Sequence, residues 1–152
     1  LARGRSSCQT APAASSGGAD GGLVMAVEPH EGRSQHGAMS VSISNALVRL
    51  FREYTGRGPT RARTSIRDDV VLVLLEDGLT KGEKVLVDKG RESAVLEVRH
   101  EFQGAMREDA IAAVEELTGR KVRAMMSANS VDPDIAAELF VLDGRLDGTD
   151  PS

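Results

Sequence analysis

Four arginines within a short stretch are the side chains of this sequence best suited to bind a charged partner. They are Arg57, Arg61, Arg63 and Arg67, with no acidic residue between them. If residues 60–67 form a β-strand, side-chain alternation places the last three on the same side and leaves the first in the preceding turn. Guanidinium groups donate paired hydrogen bonds to phosphates and carboxylates. These four residues, the arginine strip, are therefore a candidate contact for a small anion, an acidic partner protein or a nucleic-acid backbone.

Two further considerations bear on the arginine strip. Charged side chains on an edge strand also protect its unpaired backbone from unwanted pairing, an interpretation that requires no ligand. Nucleic acid is disfavoured as a ligand, because aromatic residues that could stack on bases make up only 3% of the chain and the net charge is −4. Among ligands, an acidic partner protein or a small anion fits best.

Residues that could form a catalytic or metal centre are scarce. The sequence has no glycine-rich phosphate-binding loop and no GxSxG nucleophile motif. Cys8, His30 and His36 lie near the N-terminus and His100 stands alone in a predicted helix, so four zinc ligands do not come together. The paired aspartates fall at predicted turns, where they accept bonds from backbone N–H groups: Asp68, Asp69, Asp132 and Asp134. We therefore expect no enzyme activity, no cofactor and no metal.

The composition indicates a soluble protein of one domain. The chain has 152 residues, of which 28% are charged, and its isoelectric point is near 5.4. Cys8 is the single cysteine, which excludes an internal disulfide and favours a reducing compartment. No apolar stretch approaches the ~18–20 residues that cross a bilayer, and the LVMAV segment is too short for a signal peptide. We expect a cytoplasmic protein, at most peripheral to the inner face of the membrane.

The chain divides into three predicted regions. Residues 1–38 are rich in Gly, Ala, Ser and Pro and lack an apolar period, which predicts a disordered N-terminal tail. Met25 and Met39 are alternative start sites, under which this tail is an artefact of the assigned start. A single folded domain is predicted over residues 39–143, and a disordered C-terminal tail over residues 144–152.

Apolar periodicity and turn residues predict seven elements in the order α-β-β-α-α-β-β. The first helix is capped by Ser40 or Ser42 and ends at Gly56. The TKGE segment at residues 80–83 has the form of a capping box and starts a short helix. The remaining elements are strands at about residues 60–67, 70–76, 122–130 and 135–142, and a long helix at about residues 91–118.

The long helix has an apolar stripe that includes Val98, Phe102 and Met106. Arg99 is predicted on the opposite, charged face. Gly104 is an internal weak point that could mark a bend or a close packing contact.

These elements predict an α+β fold, a two-layer sandwich in which two β-hairpins form a four-stranded, mainly antiparallel sheet covered by helices. The strands at residues 70–76 and 135–142 carry apolar residues on both faces. Both faces of the sheet therefore need cover. Either the first helix or a second copy of the protein covers the second face, and we favour a homodimer.

Four motifs, in this order and spacing, resemble the MpsC-like family over about residues 40–143. The GRGP turn is formed by Gly56, Arg57, Gly58 and Pro59, and the LT…E box by Leu79, Thr80 and Glu83. The Val-Arg pair on the long helix is Val98 and Arg99, and the TG-x-x-V step is formed by Thr118, Gly119 and Val122. Gly82 departs from the pattern, because a helix-favouring residue is expected there. The family is named for a component of a bacterial Na⁺-translocating, membrane-potential-generating system.

The resemblance implies a link to a membrane transport complex and carries over no catalytic residues. The expected function is that of a non-enzymatic accessory or regulatory domain, with the arginine strip as its contact surface. The alternative is a nucleic-acid or small-anion binding module that uses the same arginines.

Overall fold

Three α-helices and four β-strands make up residues 31–147, the part of the chain that the computed structural model describes. In chain order they are α1 Glu31–Thr55, β1 Arg61–Arg67, β2 Val70–Glu76, α2 Lys81–Asp88, α3 Glu92–Thr118, β3 Val122–Val131 and β4 Asp134–Leu142. The predicted element order and the α+β class are confirmed. None of the helices in residues 31–147 combines the length and the apolarity needed to cross a membrane.

The four strands form one antiparallel sheet in the order β1-β2-β4-β3. The β1–β2 hairpin turns at Asp68, whose φ is 56°. Val73 on β2 lies opposite Glu138 on β4, and this pairing joins the two hairpins at the centre of the sheet. β1 and β3 are therefore the edge strands.

Helices α1 and α3 lie side by side on one face of the sheet, with α1 over β1 and α3 over β3. The hydroxyls of Ser44 on α1 and Thr64 on β1 are 2.7 Å apart, and Gln103 on α3 donates to Glu138 on β4 at 2.7 Å. Thr64 and Glu138 both lie opposite Val73 in the strand register, so the two helices cover the same face. The apolar core between helices and sheet contains Ile43, Ala46, Leu47, Phe51, Val71, Val73, Leu75, Met106, Ala110, Val114, Met125, Ala136, Phe140 and Leu142.

No helix of the described residues packs on the opposite face of the sheet, called here the open face. Most of its apolar side chains are half-buried by their neighbours in the sheet: Val70, Leu72, Leu74, Ile135, Ala137, Leu139 and Val141. Met126 on β3 lies opposite Leu139 on this face and is 54% exposed. The alternative in which α1 covers the second face is wrong, because α1 packs beside α3.

The ends of the folded region differ from the predicted boundaries. Helix α1 begins at Glu31, so residues 31–38 are helical and the predicted caps lie inside the helix. At the other end, Arg145 pairs with Asp68 at 2.6 Å and the N–H of Leu146 donates to the Asp68 carbonyl at 3.2 Å. Residues 144–147 therefore pack on the β1–β2 turn. The predicted disorder of residues 1–30 and 148–152 lies outside the described residues.

One local prediction is confirmed at the start of α2, and another is wrong on α3. The capping box is present, since Thr80 Oγ1 accepts the Glu83 N–H at 3.2 Å and Glu83 Oε2 accepts the Thr80 N–H at 2.7 Å. On α3, however, Val98 is 43% exposed and Arg99 only 7%. The predicted faces are wrong at these two positions because α2 packs against α3 and presents Glu83 to Arg99. Gly104 faces open space, so no close contact requires it.

Candidate functional site

The GRGP turn connects α1 to the edge strand β1 and sets the position of the arginine strip. Gly56 ends the helix with φ 77°, and its N–H donates to the Arg52 carbonyl at 3.0 Å. Thr55 Oγ1 donates to the Phe51 carbonyl at 2.7 Å, which secures the last turn. Pro59 is buried and directs the chain into β1. The turn is therefore a packed element that holds β1 against the end of α1.

Three members of the arginine strip lie on the same side of β1, as predicted. Arg61, Arg63 and Arg67, called here the β1 arginines, are exposed on the open-face side of β1. Glu76 on β2 pairs with Arg61 Nη1 at 3.4 Å and with Arg63 Nη2 at 3.2 Å. Arg67 forms no ion pair within residues 31–147. One carboxylate therefore pairs with two of the three guanidinium groups, and the β1 arginines keep a positive excess at the sheet edge.

Arg57, the fourth member, lies apart from the others. Its Nη2 pairs with Asp77 Oδ2 at 3.1 Å and donates to the Asp77 carbonyl at 3.3 Å. Hydrogen bonds from Thr60 and Lys84, with the charges of Lys84 and Arg57, hold the pKa of Asp77 below its usual value. Arg57 Nε is buried and has no hydrogen-bond partner in the described region. Arg57 therefore connects the GRGP turn to the end of β2 and does not extend the row of β1 arginines.

Several positions of the family motifs converge at Gly78. Arg99 Nε lies 3.4 Å from Glu83 Oε1, and both side chains are about nine-tenths buried. A Cβ atom on Gly78 would lie 3.6 Å from Arg99 Nη2 and 3.7 Å from Pro59 Cβ. Leu79 beside it is buried in the same region. The GRGP turn, the LT…E box and the long helix therefore meet around one buried ion pair, although Gly58 itself packs against α1.

This buried ion pair has no room for a substrate. The adjoining cavity, lined by Phe51, Thr55, Arg99 and Phe102, is about 10 Å³. That volume holds at most one water molecule. Arg99 Nε has no hydrogen-bond partner among residues 31–147, and Glu83 Oε2 is engaged by the capping box. The arrangement locks α2 and the GRGP turn onto α3.

The remaining motif positions end α3. Gly119 adopts the left-handed conformation with φ 69°, and its N–H donates to the Glu115 carbonyl at 2.9 Å. The N–H of Val122 donates to Glu115 Oε1 at 2.9 Å, and Lys121 Nζ pairs with Oε2 at 2.9 Å. The Val122 and Lys121 hydrogen bonds lower the pKa of Glu115. These positions fix the passage from α3 to β3.

Glu138 is the one acidic side chain of the described core that is fully buried. Oε1 accepts a bond from Gln103 at 2.7 Å, and Oε2 is bonded to Ser127. Gln103 is also bonded to Asn129, from its Nε2 to Oδ1 at 3.2 Å. Burial raises the pKa of Glu138 from 4.5 to about 7, against the opposing effects of Ser127, Gln103 and Arg107. Glu138 was not among the predicted site residues, although one acidic residue among the apolar residues 135–142 is a signal visible in the sequence.

The other chemistry-bearing side chains of the described region do not assemble into a site. Within residues 31–147 no group of His, Cys, Asp and Glu is arranged to hold a metal ion. His100 is exposed on α3, and His36 is half-buried on α1. Cys8 and His30 lie outside the described residues. The best-developed surface is therefore the β1 edge with its arginines.

A family model described as Na⁺-translocating membrane potential-generating system (MpsC) matches residues 35–144. The matched region contains every motif on which the predicted resemblance rests. No curated protein and no solved structure matches the chain.

Proposed function

The chain belongs to the MpsC family, and on this premise we propose that it is a non-enzymatic accessory or regulatory domain of a Na⁺-translocating, membrane-potential-generating system. The observation that carries the proposal beyond the family description is the exposed β1 edge. It has unpaired backbone groups and a positive excess, whereas the motif residues around Arg99 leave no room for a substrate. Such a domain would act by contact with other components, from the cytoplasmic side of the membrane.

The β1 arginines are the proposed contact with an acidic region of a transport component. The side chains of Arg61 and Arg63 are 77% and 68% exposed, so both can exchange Glu76 for a partner carboxylate. Exposed ion pairs contribute only ~0–1 kcal/mol, and breaking them therefore costs little. Arg61 and Arg63, two residues apart on β1, could also bind a small anion, which is the second candidate function.

The open face is the proposed interface of a homodimer. Four strands ~4.8 Å apart and about seven residues long at ~3.3 Å each give a flat area of about 450 Å². The corrugated side-chain surface exceeds this flat area, so it approaches the ~600 Å² per partner of the smaller stable interfaces. An apolar centre and a charged margin formed by Arg61, Arg63 and Glu76 are typical of such interfaces. A second copy supplies the matching apolar sheet.

A complementation experiment tests the proposed function. Deleting the gene in its own organism should lower the Na⁺-dependent part of the membrane potential and slow Na⁺ extrusion. The wild-type gene should restore both. The Arg61→Glu, Arg63→Glu double variant should restore neither, because it reverses the charge of the contact surface.

A matched charge change controls for net charge. The Arg49→Glu, Arg123→Glu double variant alters two exposed arginines on other surfaces and should restore both readouts. A deletion strain with unchanged potential and Na⁺ extrusion would refute the proposed function. Full restoration by the Arg61, Arg63 variant would refute the assigned contact surface alone.

A further inference from the structure

A groove of about 700 Å³ lies between α1 and the outer edge of β1. It extends along α1 from Ser40 to Arg52, a rise of about 18 Å at 1.5 Å per residue. The Gly58-Pro59 step closes one end. A Cβ atom on Gly58 would lie 3.2 Å from the Val48 carbonyl, so the chain approaches α1 closely there. The groove accommodates about five residues of extended chain at ~3.3 Å per residue.

The floor of this groove is an unpaired strand edge. β1 pairs only with β2, so alternate backbone N–H and C=O groups of β1 point away from the sheet. An extended segment laid along that edge forms main-chain hydrogen bonds in the manner of strand addition. No described segment of the chain occupies this position.

Strand alternation assigns a different chemistry to each side of an added segment. Side chains directed to the helix-covered side enter the groove, where Val41 is 60% exposed and Val48 and Ala62 contribute further apolar surface. Side chains directed to the open-face side lie next to the β1 arginines. At the end of the groove, Arg52 forms no ion pair within residues 31–147. The complementary segment therefore alternates small apolar residues with acidic residues.

We propose that β1 accepts an extended segment of a partner protein as a fifth strand, with its apolar residues under α1 and its acidic residues beside the β1 arginines. This inference rests on the proposed function, because it specifies how the accessory domain holds its partner. The partner segment is about five residues long and alternates apolar with acidic residues. Its backbone must be exposed and not already paired with another strand.

Binding of synthetic peptides to the full chain tests the proposal. The probe is an acetylated and amidated (Val-Glu)₄ peptide, measured by calorimetry at low salt. It should bind at least tenfold more tightly than a Val₄Glu₄ peptide of equal composition, and (Val-Lys)₄ should not bind. Equal affinity for the first two peptides would overturn the alternating pattern.

Backbone methylation separates strand addition from attraction of charge alone. In an added strand, the N–H groups of alternate residues face β1 and the others face solvent. N-methylation of all Val or of all Glu residues should therefore weaken binding at least tenfold in one peptide and leave it unchanged in the other. Equal effects of the two modifications would overturn strand addition.

A pair of protein variants locates the groove. Val41→Glu should weaken binding of (Val-Glu)₄ at least tenfold, whereas Val85→Glu on α2, at a residue 56% exposed, should not. Equal affinity of these two variants would place the peptide elsewhere. Because these measurements use purified protein, their failure leaves the complementation result standing, and failure of complementation leaves the binding result standing.

Discussion

Replacing Glu138 with Gln should remove most of the pH dependence of the free energy of unfolding between about pH 4.5 and 7. The carboxyl is fully buried, and its pKa is raised from 4.5 to about 7. The folded protein therefore keeps a proton that the unfolded chain releases. Stability from this group is fully present below pH 4.5 and is lost as the pH rises to about 7. The loss amounts to about 3 kcal/mol at 1.36 kcal/mol per pH unit.

Gln fits the hydrogen bonds of the site without a charge. Its carbonyl accepts from Gln103, as Glu138 Oε1 does, and its amide donates to the hydroxyl oxygen of Ser127, which is the donor to Glu138 Oε2 in the wild type. At pH 8 we therefore expect Glu138→Gln to be more stable than the wild type by up to about 3 kcal/mol. Removing the charge from a buried site without removing its hydrogen bonds is the physical reason.

Urea unfolding at pH 5, 6, 7 and 8, at one fixed protein concentration, measures this effect. Glu101→Gln on α3 is the matched control, since Glu101 is exposed, and it should follow the wild-type curve. A Glu138→Gln variant that loses stability with rising pH as steeply as the wild type would contradict the assignment of this titration to Glu138.

Breaking the Arg99–Glu83 ion pair should cost about 3–5 kcal/mol of stability. Both side chains are about nine-tenths buried, with Arg99 Nε 3.4 Å from Glu83 Oε1. Arg99→Met leaves the Glu83 carboxylate buried and unpaired, which is the source of the cost. Adding Glu83→Gln should recover part of the loss, because Gln keeps the capping bond to Thr80 and carries no charge.

A double-mutant cycle isolates the pairwise energy. The exposed pair Arg61 and Glu76, replaced by Met and Gln, is the control and should show a coupling below about 1 kcal/mol. If Arg99→Met lost no more stability than Arg61→Met, the convergence of the motif residues at Gly78 would have no energetic basis.

Local signals in the sequence predicted much of the fold. β2 has the predicted bounds of residues 70–76, because acidic turns flank an aliphatic run. The capping box at Thr80 and Glu83 and the stop at Gly119 depend on neighbours within four residues, so they too were predictable. The grouping of the β1 arginines required only strand alternation.

The ion pairs that the sequence did not predict depend on tertiary contacts. Arg99 falls on a charged face of α3 by periodicity, and only packing of α2 brings Glu83 to it and buries both. Likewise, Glu76 on β2 pairs with Arg61 and Arg63 across the hairpin. Arg57 pairs with Asp77 at the end of β2. These pairings join residues on different elements, and no local pattern encodes them.

The placement of α1 also lay beyond local signals. Its periodicity showed a buried stripe, but either face of the sheet could have received that stripe. The first turns of α1, which begins at Glu31, have no apolar pattern from which a helix could be predicted. Since α1 packs beside α3, no helix of residues 31–147 covers the open face.

Sedimentation equilibrium of the full chain at micromolar concentration tests most directly whether the open face joins two copies. The wild type and Val85→Glu should sediment as dimers, and Met126→Glu should sediment as a monomer. Met126 and Val85 are 54% and 56% exposed, so neither change should disturb the folded protomer. A monomeric wild type, or a Met126→Glu variant that remains fully dimeric, would contradict closure of the open face by a second copy.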